Sequence, residues 1–366
     1  MHQLEDTRRR RIMVKPASGL GRRLVGLLAV GAVAGVSSGC GGAQPGRPAD
    51  PVAYVAQNLS RSFTVAIAAG FRSGVATVPG VRQQVVAPPA DNDPVGQADL
   101  FERMLTATPG GISVSMSAPE RFVDCLTSAA AKHVPVIAVD VPPPPGAPVG
   151  LYVGNDNHEL GTQLADLVID RLPPDAHGTV LLGSPRPGVP VLDLRTTAVR
   201  AEFHARRPGV AVLGAFDIGQ RSDSSQAWRQ LLAANPHPLA MLSVGADGAS
   251  LAQVRRATKG TWLAAAFDLD AVSLAAVKRG ELLLMSPEHF LKGAIAGRLQ
   301  AEHADHRSPL PRGWIYTAGL AVTPKNIDSI LERESSAAAT QAWFAADLDR
   351  VFGPNGPPLR DLNQVS

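Results

Sequence analysis

Val134-Pro135-Val136-Ile137-Ala138-Val139-Asp140 is the most apolar run in the body of the chain, and it stops on a carboxylate. A short Val- and Ile-rich run of this kind reads as a strand buried on both faces. Working outward, similar runs recur upstream at residues 52–56, 83–87 and 112–115, and downstream at 151–153, 180–182, 210–215, 240–244 and 262–267. Amphipathic stretches separate them, at 63–75, 95–106, 119–132, 159–171, 193–206, 224–234, 249–259 and 269–279. Strict alternation of strand and helix implies an α/β fold of right-handed crossovers, with parallel sheets covered on both faces. At 366 residues the chain holds two such units rather than one.

Composition narrows the function. An apolar content of 45% is enough for a sizeable core and excludes general disorder, and 2 Cys exclude a disulfide scaffold. The formal net charge of +3 would suit a nucleic-acid partner, but it is unevenly placed. Residues 1–39 carry seven basic and two acidic side chains, a net +5, which leaves −2 for the remainder. Within that segment an apolar run, 24–36, follows the arginines and leads into Ser37-Ser38-Gly39-Cys40. Basic, then apolar, then small is the layout of an export signal, and the run is short for a permanent membrane span. The residues before Cys40 resemble the lipobox of bacterial lipoproteins, although Ser37 stands where an aliphatic residue is usual. That resemblance implies acylation of Cys40 and removal of 1–39. Residues 40–50, rich in Gly, Pro and Ala, then read as a tether. Cys125 is left as a lone thiol, most simply a small apolar helix residue.

In parallel α/β sheets, ligands bind beyond the carboxyl ends of the strands. The corresponding loops here, residues 57–63, 115–117, 140, 155–157, 184–195, 245–248 and 268, hold Asn, Gln, Ser, Asp, Arg and one Phe. Planar amide, carboxylate and guanidinium groups beside an aromatic face suit a polyhydroxylated small molecule.

Several segments carry a family resemblance. Val55-Ala56-Gln57-Asn58-Leu59-Ser60-Arg61-Ser62-Phe63, the run ending at Asp140, Tyr152-Val153-Gly154-Asn155-Asp156-Asn157-His158-Glu159-Leu160-Gly161, and Ala266-Phe267-Asp268 resemble landmarks of the ribose-type (type I) periplasmic binding proteins. Glu288-His289-Phe290-Leu291-Lys292-Gly293 is similar to that family's Gln-Pro-Tyr-Leu-Gln-Gly segment, and residues 319–326 to its last crossover. The resemblance implies two Rossmann-like lobes joined by a three-strand hinge, with crossings near Gly154, Pro287 and Gly319. Lobe 1 would be residues 51–153 and 288–318, lobe 2 residues 154–287 and 320–337, with 338–366 a C-terminal helix and fraying tail. It further implies capture of a sugar or sugar-like polyol outside the cell by a monomer, and delivery to an ABC transporter permease, with no cofactor and no nucleic acid. The lipid on Cys40 would hold the protein on the membrane.

Carried over onto this sequence, the ligand-binding residues are Gln57, Asn58, Phe63, Ser115, Asp140, Arg195, Asp247, Asp268 and Glu288. Phe63 would stack on a sugar face, Asp140 and Asp268 would accept hydroxyls, and Arg195 would donate in pairs. The sequence also departs from the family pattern. Val141 stands where Arg is common, Ser115 and Gly245 where Asn is, and Glu288 replaces a Gln, with Asp247 placed to compensate for Gly245. Three carboxylates against one Arg make an acid-leaning cleft, which brings amino sugars into view.

Other readings carry less. Asp91, Asn92, Asp93 and Glu102 nearly match calcium-loop spacing, but Val95 offers no side-chain oxygen, and acidic helix caps explain the same residues. Glu302, His303 and His306 lack a further metal ligand nearby. No Gly-x-Ser-x-Gly, His-Glu-x-x-His or Walker pattern marks an enzyme. Asp140 and Asp268 as a glycosidase pair are explained equally by clamping between lobes. A sensor presenting its closed form to a signalling protein shares every feature with an importer receptor.

Overall fold

The computed structural model describes residues 49–91, 93–219 and 224–365. The expected leader at 1–39, Cys40 and the tether up to residue 48 lie outside the described residues. Asn92 does too.

Alternation of side chains along each strand builds two cores per sheet. In β1 (Val52–Val55), Val52 and Tyr54 face one core while Ala53 and Val55 face another. β2 (Gln83–Val86), β3 (Gly111–Val114), β4 (Val136–Val139) and β5 (Leu151–Gly154) join β1 in parallel register. A second sheet repeats the plan with β6 (Gly178–Ser184), β7 (Val210–Asp217), β8 (Ala240–Ser243), β9 (Leu263–Phe267) and β10 (Leu283–Ser286). There Leu181 and Met241 face one side, and Val180, Leu182 and Leu242 the other. β11 (Gly313–Tyr316) returns to the first sheet, β12 (Leu320–Val322) pairs antiparallel with β10 in the second, and β13 (Leu359–Arg360) pairs antiparallel with β11. The strand orders are β13-β11-β5-β4-β3-β1-β2 and β12-β10-β9-β8-β6-β7.

Helices fill the crossovers: α1 (Ser62–Ala76), α2 (Pro94–Ala107), α3 (Val123–Ala131), α4 (Asn157–Ile169), α5 (Pro190–Arg206), α6 (Ser225–Ala234), α7 (Gly248–Thr258), α8 (Ala271–Lys278) and α9 (His289–His306). Local chemistry sets their starts. Asp93 caps α2 by accepting from the Gly96 amide at 2.8 Å, and Asp91 accepts from the Ser60 hydroxyl at 2.5 Å, so both carboxylates have structural partners. Asp156 caps α4 through the Glu159 amide, and Pro190 opens α5 three residues before the sequence pattern suggested, because proline presets φ for a first helical turn. Among the described residues no cluster of three His, Cys, Asp or Glu is placed to hold a metal, and no helix is long and apolar enough to cross a membrane.

The chain passes between the sheets after β5, after β10 and between β11 and β12. After α10 (Ile327–Arg333), packed in the second lobe, it passes back once more. α11 (Ala337–Trp343) and α12 (Ala345–Val351) bring Phe344 and Val351 into a core of the first lobe. In residues 353–358 Gly356 donates to the Gly353 carbonyl in a turn, its φ of +69° being the kind glycine takes without strain, and β13 follows. Cys125 is buried against α2, with Sγ toward the Ala98 carbonyl, and burial pushes its thiol up to about 11.

One helix contact positions the site. α1 and α9 lie against each other through interleaved glycines: a Cβ on Gly70 would stand 2.0 Å from the Phe290 carbonyl oxygen, and one on Gly293 2.0 Å from that of Ile67. This approach sets Phe63, at the start of α1, beside His289, at the start of α9. Gly293→Ala is therefore expected to lower the melting temperature by several degrees, since overpacking costs about 1–3 kcal/mol. A rise, which the ~1 kcal/mol helix preference of Ala over Gly would give by itself, would contradict this packing.

Candidate ligand-binding site

β4 and β9 occupy equivalent places in the two sheets, and each ends on an aspartate turned into the left-handed region, Asp140 at φ +68° and Asp268 at +69°. Their amides still donate to the next strand, Asp140 to Val153 and Asp268 to Met285. The ladder is thus kept while the carboxylate swings beyond the sheet. Non-glycine residues in this region carry strain of order 1 kcal/mol, least for Asn and Asp, and such positions cluster at functional sites.

Both carboxylates meet α9. Lys292, with no exposed surface, places Nζ 2.5 Å from Asp140 Oδ1. His289, one turn earlier on the same face, has Nε2 2.8 Å from Asp268 Oδ1 and Nδ1 3.4 Å from both Asp140 Oδ1 and Lys292 Nζ. With Nε2 donating to Asp268, a neutral ring accepts from Lys292 at Nδ1, whereas a protonated ring donates there to Asp140. Either way one imidazole joins the two lobes.

The charges set one another. Burial would raise Asp140, but the Lys292 ammonium and then His289 hold it well below the usual carboxylate range. For Lys292, burial pushes the ammonium below its ordinary value against the pull of Asp140. Burial and Lys292 depress His289, yet Asp140 and Asp268 together outweigh them and its value is raised.

The cleft between the lobes has a volume of about 410 Å³, within the ~300–1,000 Å³ of small-molecule sites. Of the residues named from sequence, Gln57, Phe63, Asp140, Arg195, Asp247 and Asp268 line it. Phe63 lies 5.5 Å from the His289 ring at 44°. Arg195 is fixed by bonds from Nε to Asn157 Oδ1 at 2.9 Å and from Nη1 to the Val244 carbonyl at 3.1 Å, and its guanidinium lies 4.1 Å over the Phe267 ring. Asp247 accepts from the Ser224 and Ser243 hydroxyls, and burial raises its carboxyl above the ordinary value.

Asn58, Ser115 and Glu288 are not among the lining residues. The Asn58 side-chain oxygen accepts from the Ser60 and Arg61 amides and the Thr64 hydroxyl, which shapes the start of α1. Ser115 is fully buried and accepts from Gln57 Nε2 at 3.2 Å, so it orients Gln57 from behind. Glu288, at φ +56°, is 2.9 Å and 3.2 Å from Arg333 Nη1 and serves the hinge. Glu288 therefore drops out of the acid-leaning set expected from sequence, while Asp140, Asp268 and Asp247 stay in the lining with Arg195. Sequence reasoning missed His289 and Lys292 as site residues. The available signal was a Lys three residues after a His in a segment otherwise of small and apolar residues.

The fold and this cleft define the class: a two-lobed solute-binding protein with a cleft at the carboxyl ends of two parallel sheets. Residues 52–308, more than two-thirds of the chain, match the family model described as periplasmic binding protein domain, and the chain belongs to that family. Similar solved structures include an ABC transporter periplasmic solute binding protein from Actinobacillus succinogenes 130z with bound D-allose, at 17% identity and TM-score 0.69, covering 76% of this chain and 99% of that one. Another is a periplasmic ribose ABC transporter protein from Conexibacter woesei DSM 14684, at 21% identity and TM-score 0.67, covering 79% and 96%. A third is an ABC transporter solute binding protein from Agrobacterium vitis with bound D-fucose, at 16% identity and TM-score 0.69, covering 76% and 97%. A search of curated proteins found no significant match.

Removing one partner of the buried pair leaves an uncompensated charge. Lys292→Met is expected to destabilise the protein in urea unfolding by roughly 3–5 kcal/mol, and adding Asp140→Asn to recover part of that loss. Additive losses in the double variant would show that the two groups are not coupled.

Proposed function

We propose that the protein is an extracytoplasmic receptor that captures a sugar or sugar-like polyol between its lobes and delivers it to an ABC importer. The observation that carries this is the pair Asp140 and Asp268, presented by opposite lobes at equivalent strand ends and facing one cleft. An ionised carboxylate accepts hydrogen bonds from two hydroxyls at once, Arg195 donates to ring or hydroxyl oxygens, and the Phe63 ring offers a flat apolar face to ring C–H groups. Hinged lobes that each supply part of this set complete it only on closing.

Binding rather than catalysis accounts for the charges. A glycosidase acid must hold its proton near neutral pH, whereas Lys292 and His289 keep Asp140 ionised. The neighbours described as ABC-transporter solute-binding proteins, two of them with bound sugars, support the importer role, and no observation favours the sensor. The basic and apolar leader supports export. Acylation at Cys40 would anchor the monomer to the membrane through the tether at 40–50.

In a thermal-shift screen of D-ribose, D-arabinose, D-allose, D-fucose and common polyols, at least one is expected to raise the melting temperature by a few degrees at saturating concentration. Asp268→Asn should weaken that ligand at least about ten-fold by calorimetry, since a bond to a charged acceptor is lost. An unchanged affinity would remove Asp268 from the site. For the anchor, a clickable fatty acid should label the wild type in cells and fail to label Cys40→Ser, which should appear in the soluble fraction. Equal labelling of both would disprove lipidation at Cys40.

A further inference from the structure

The walls of the cleft differ in kind from its floor. Loops at the carboxyl ends of strands ordinarily offer ligands their backbone N–H groups. Three of those loops here place proline, which has none, against the cavity. Pro119 follows β3, residues 142–145 follow β4, and Pro185 and Pro190 follow β6, so that both lobes contribute and all line the one cavity. Val141, Val189 and Leu192 stand among them. Glu120 and Arg186 lie on the same loops, so the wall keeps some charge, but its backbone has lost donors where they would reach a bound molecule.

The floor is braced and still has capacity for a polar head, because the contacts of Lys292 and His289 fall on one oxygen, Oδ1, of Asp140 and of Asp268. Asp140 is held by Lys292 and His289, Asp268 by His289, Arg195 by Asn157 and the Val244 carbonyl, Asp247 by two serines and Gln57 by Ser115. A bare sugar would engage that floor and meet only stiff apolar faces higher up. Burying its outer hydroxyls against proline would leave them unpaired, which is unfavourable. A molecule with a polyhydroxylated head and a flat apolar ring meets both surfaces, its head on the carboxylates and its ring against the proline and valine walls.

We infer that the preferred ligand is a glycoside carrying an apolar ring aglycone, and that the proline loops 142–145 and 185–190 are its specificity determinants. This rests on the sugar-binding reading given above. An aromatic ring packs well on the flat, C–H-rich face of proline, and proline loops are already ordered, so little conformational freedom is lost on binding.

The test is calorimetric titration of the wild-type protein with phenyl, p-nitrophenyl and methyl glycosides of D-glucose, D-galactose, D-arabinose and D-ribose, in both anomers, together with the free sugars and phenol. For at least one sugar the phenyl glycoside is expected to bind ten-fold or more tightly than the methyl glycoside, with a more negative heat-capacity change. Leu192→Ser is expected to shrink that ratio. If, for every sugar that binds, the methyl glycoside or free sugar binds as tightly as the phenyl glycoside, the inference is overturned while the sugar-binding reading stands. Failure of every sugar and glycoside to bind overturns both, as does phenol alone matching the phenyl glycoside.

Discussion

The imidazole of His289 joins a carboxylate from each lobe, and Lys292 behind it supplies the charge that keeps one of those carboxylates ionised in a buried place. Burying such groups is costly, and an apolar replacement of similar shape is often at least as stable, so the network is better understood through position than through stability. It fixes where two carboxylates point, in strained backbone at the ends of β4 and β9, with the lobes brought to a common register. Its pH behaviour follows from the directions of the shifts. The raised value of His289 gives stability fully present below its ordinary pKa of about 6.5 and lost as pH rises through the higher folded value. The depressed value of Asp140 gives stability present above about 3.9 and lost in stronger acid.

That network depends in turn on how closely α1 and α9 approach. Glycines at 70, 74, 293 and 297 let the two backbones meet where any side chain would collide with a carbonyl or amide of the other helix. α9 can then run under β1, β3, β4 and β5 with its first turn at the floor of the cleft. Glu288, just before α9, pairs with Arg333, whose guanidinium also lies over Trp343 and Phe344. The C-terminal segment thus ties a fourth connection between the lobes to the same residue that starts the helix carrying Lys292.

Most of the architecture was legible in the sequence because parallel strands buried on both faces are written as uninterrupted apolar runs between amphipathic helices. Strands such as β10 and β11 were not picked out. Length is not the reason, since β1 to β5 are equally short; β10 and β11 lie beside the crossings between lobes, where the regular alternation ends. Asp140 and Asp268 could be found because a carboxylate ending an apolar strand is conspicuous. Asn58 and Glu288 could not be sorted from true lining residues, since a polar residue in a strand-end loop reads alike whether it caps a helix, braces a hinge or meets a ligand. The partnership of Lys292 with Asp140, 152 positions apart, is created only when α9 crosses beneath β4. No local pattern could announce it.

The central claim, that His289 is held between carboxylates of both lobes, is tested most directly by NMR titration of its imidazole, assigned through a His289→Gln variant. The structure requires His289 to titrate above 6.5 and its midpoint to fall when Asp268 is replaced by Asn, because the lobe-2 carboxylate that favours the protonated ring is removed. A midpoint below 6.5, or one indifferent to Asp268, would mean that burial and Lys292 prevail and that the imidazole does not couple the lobes.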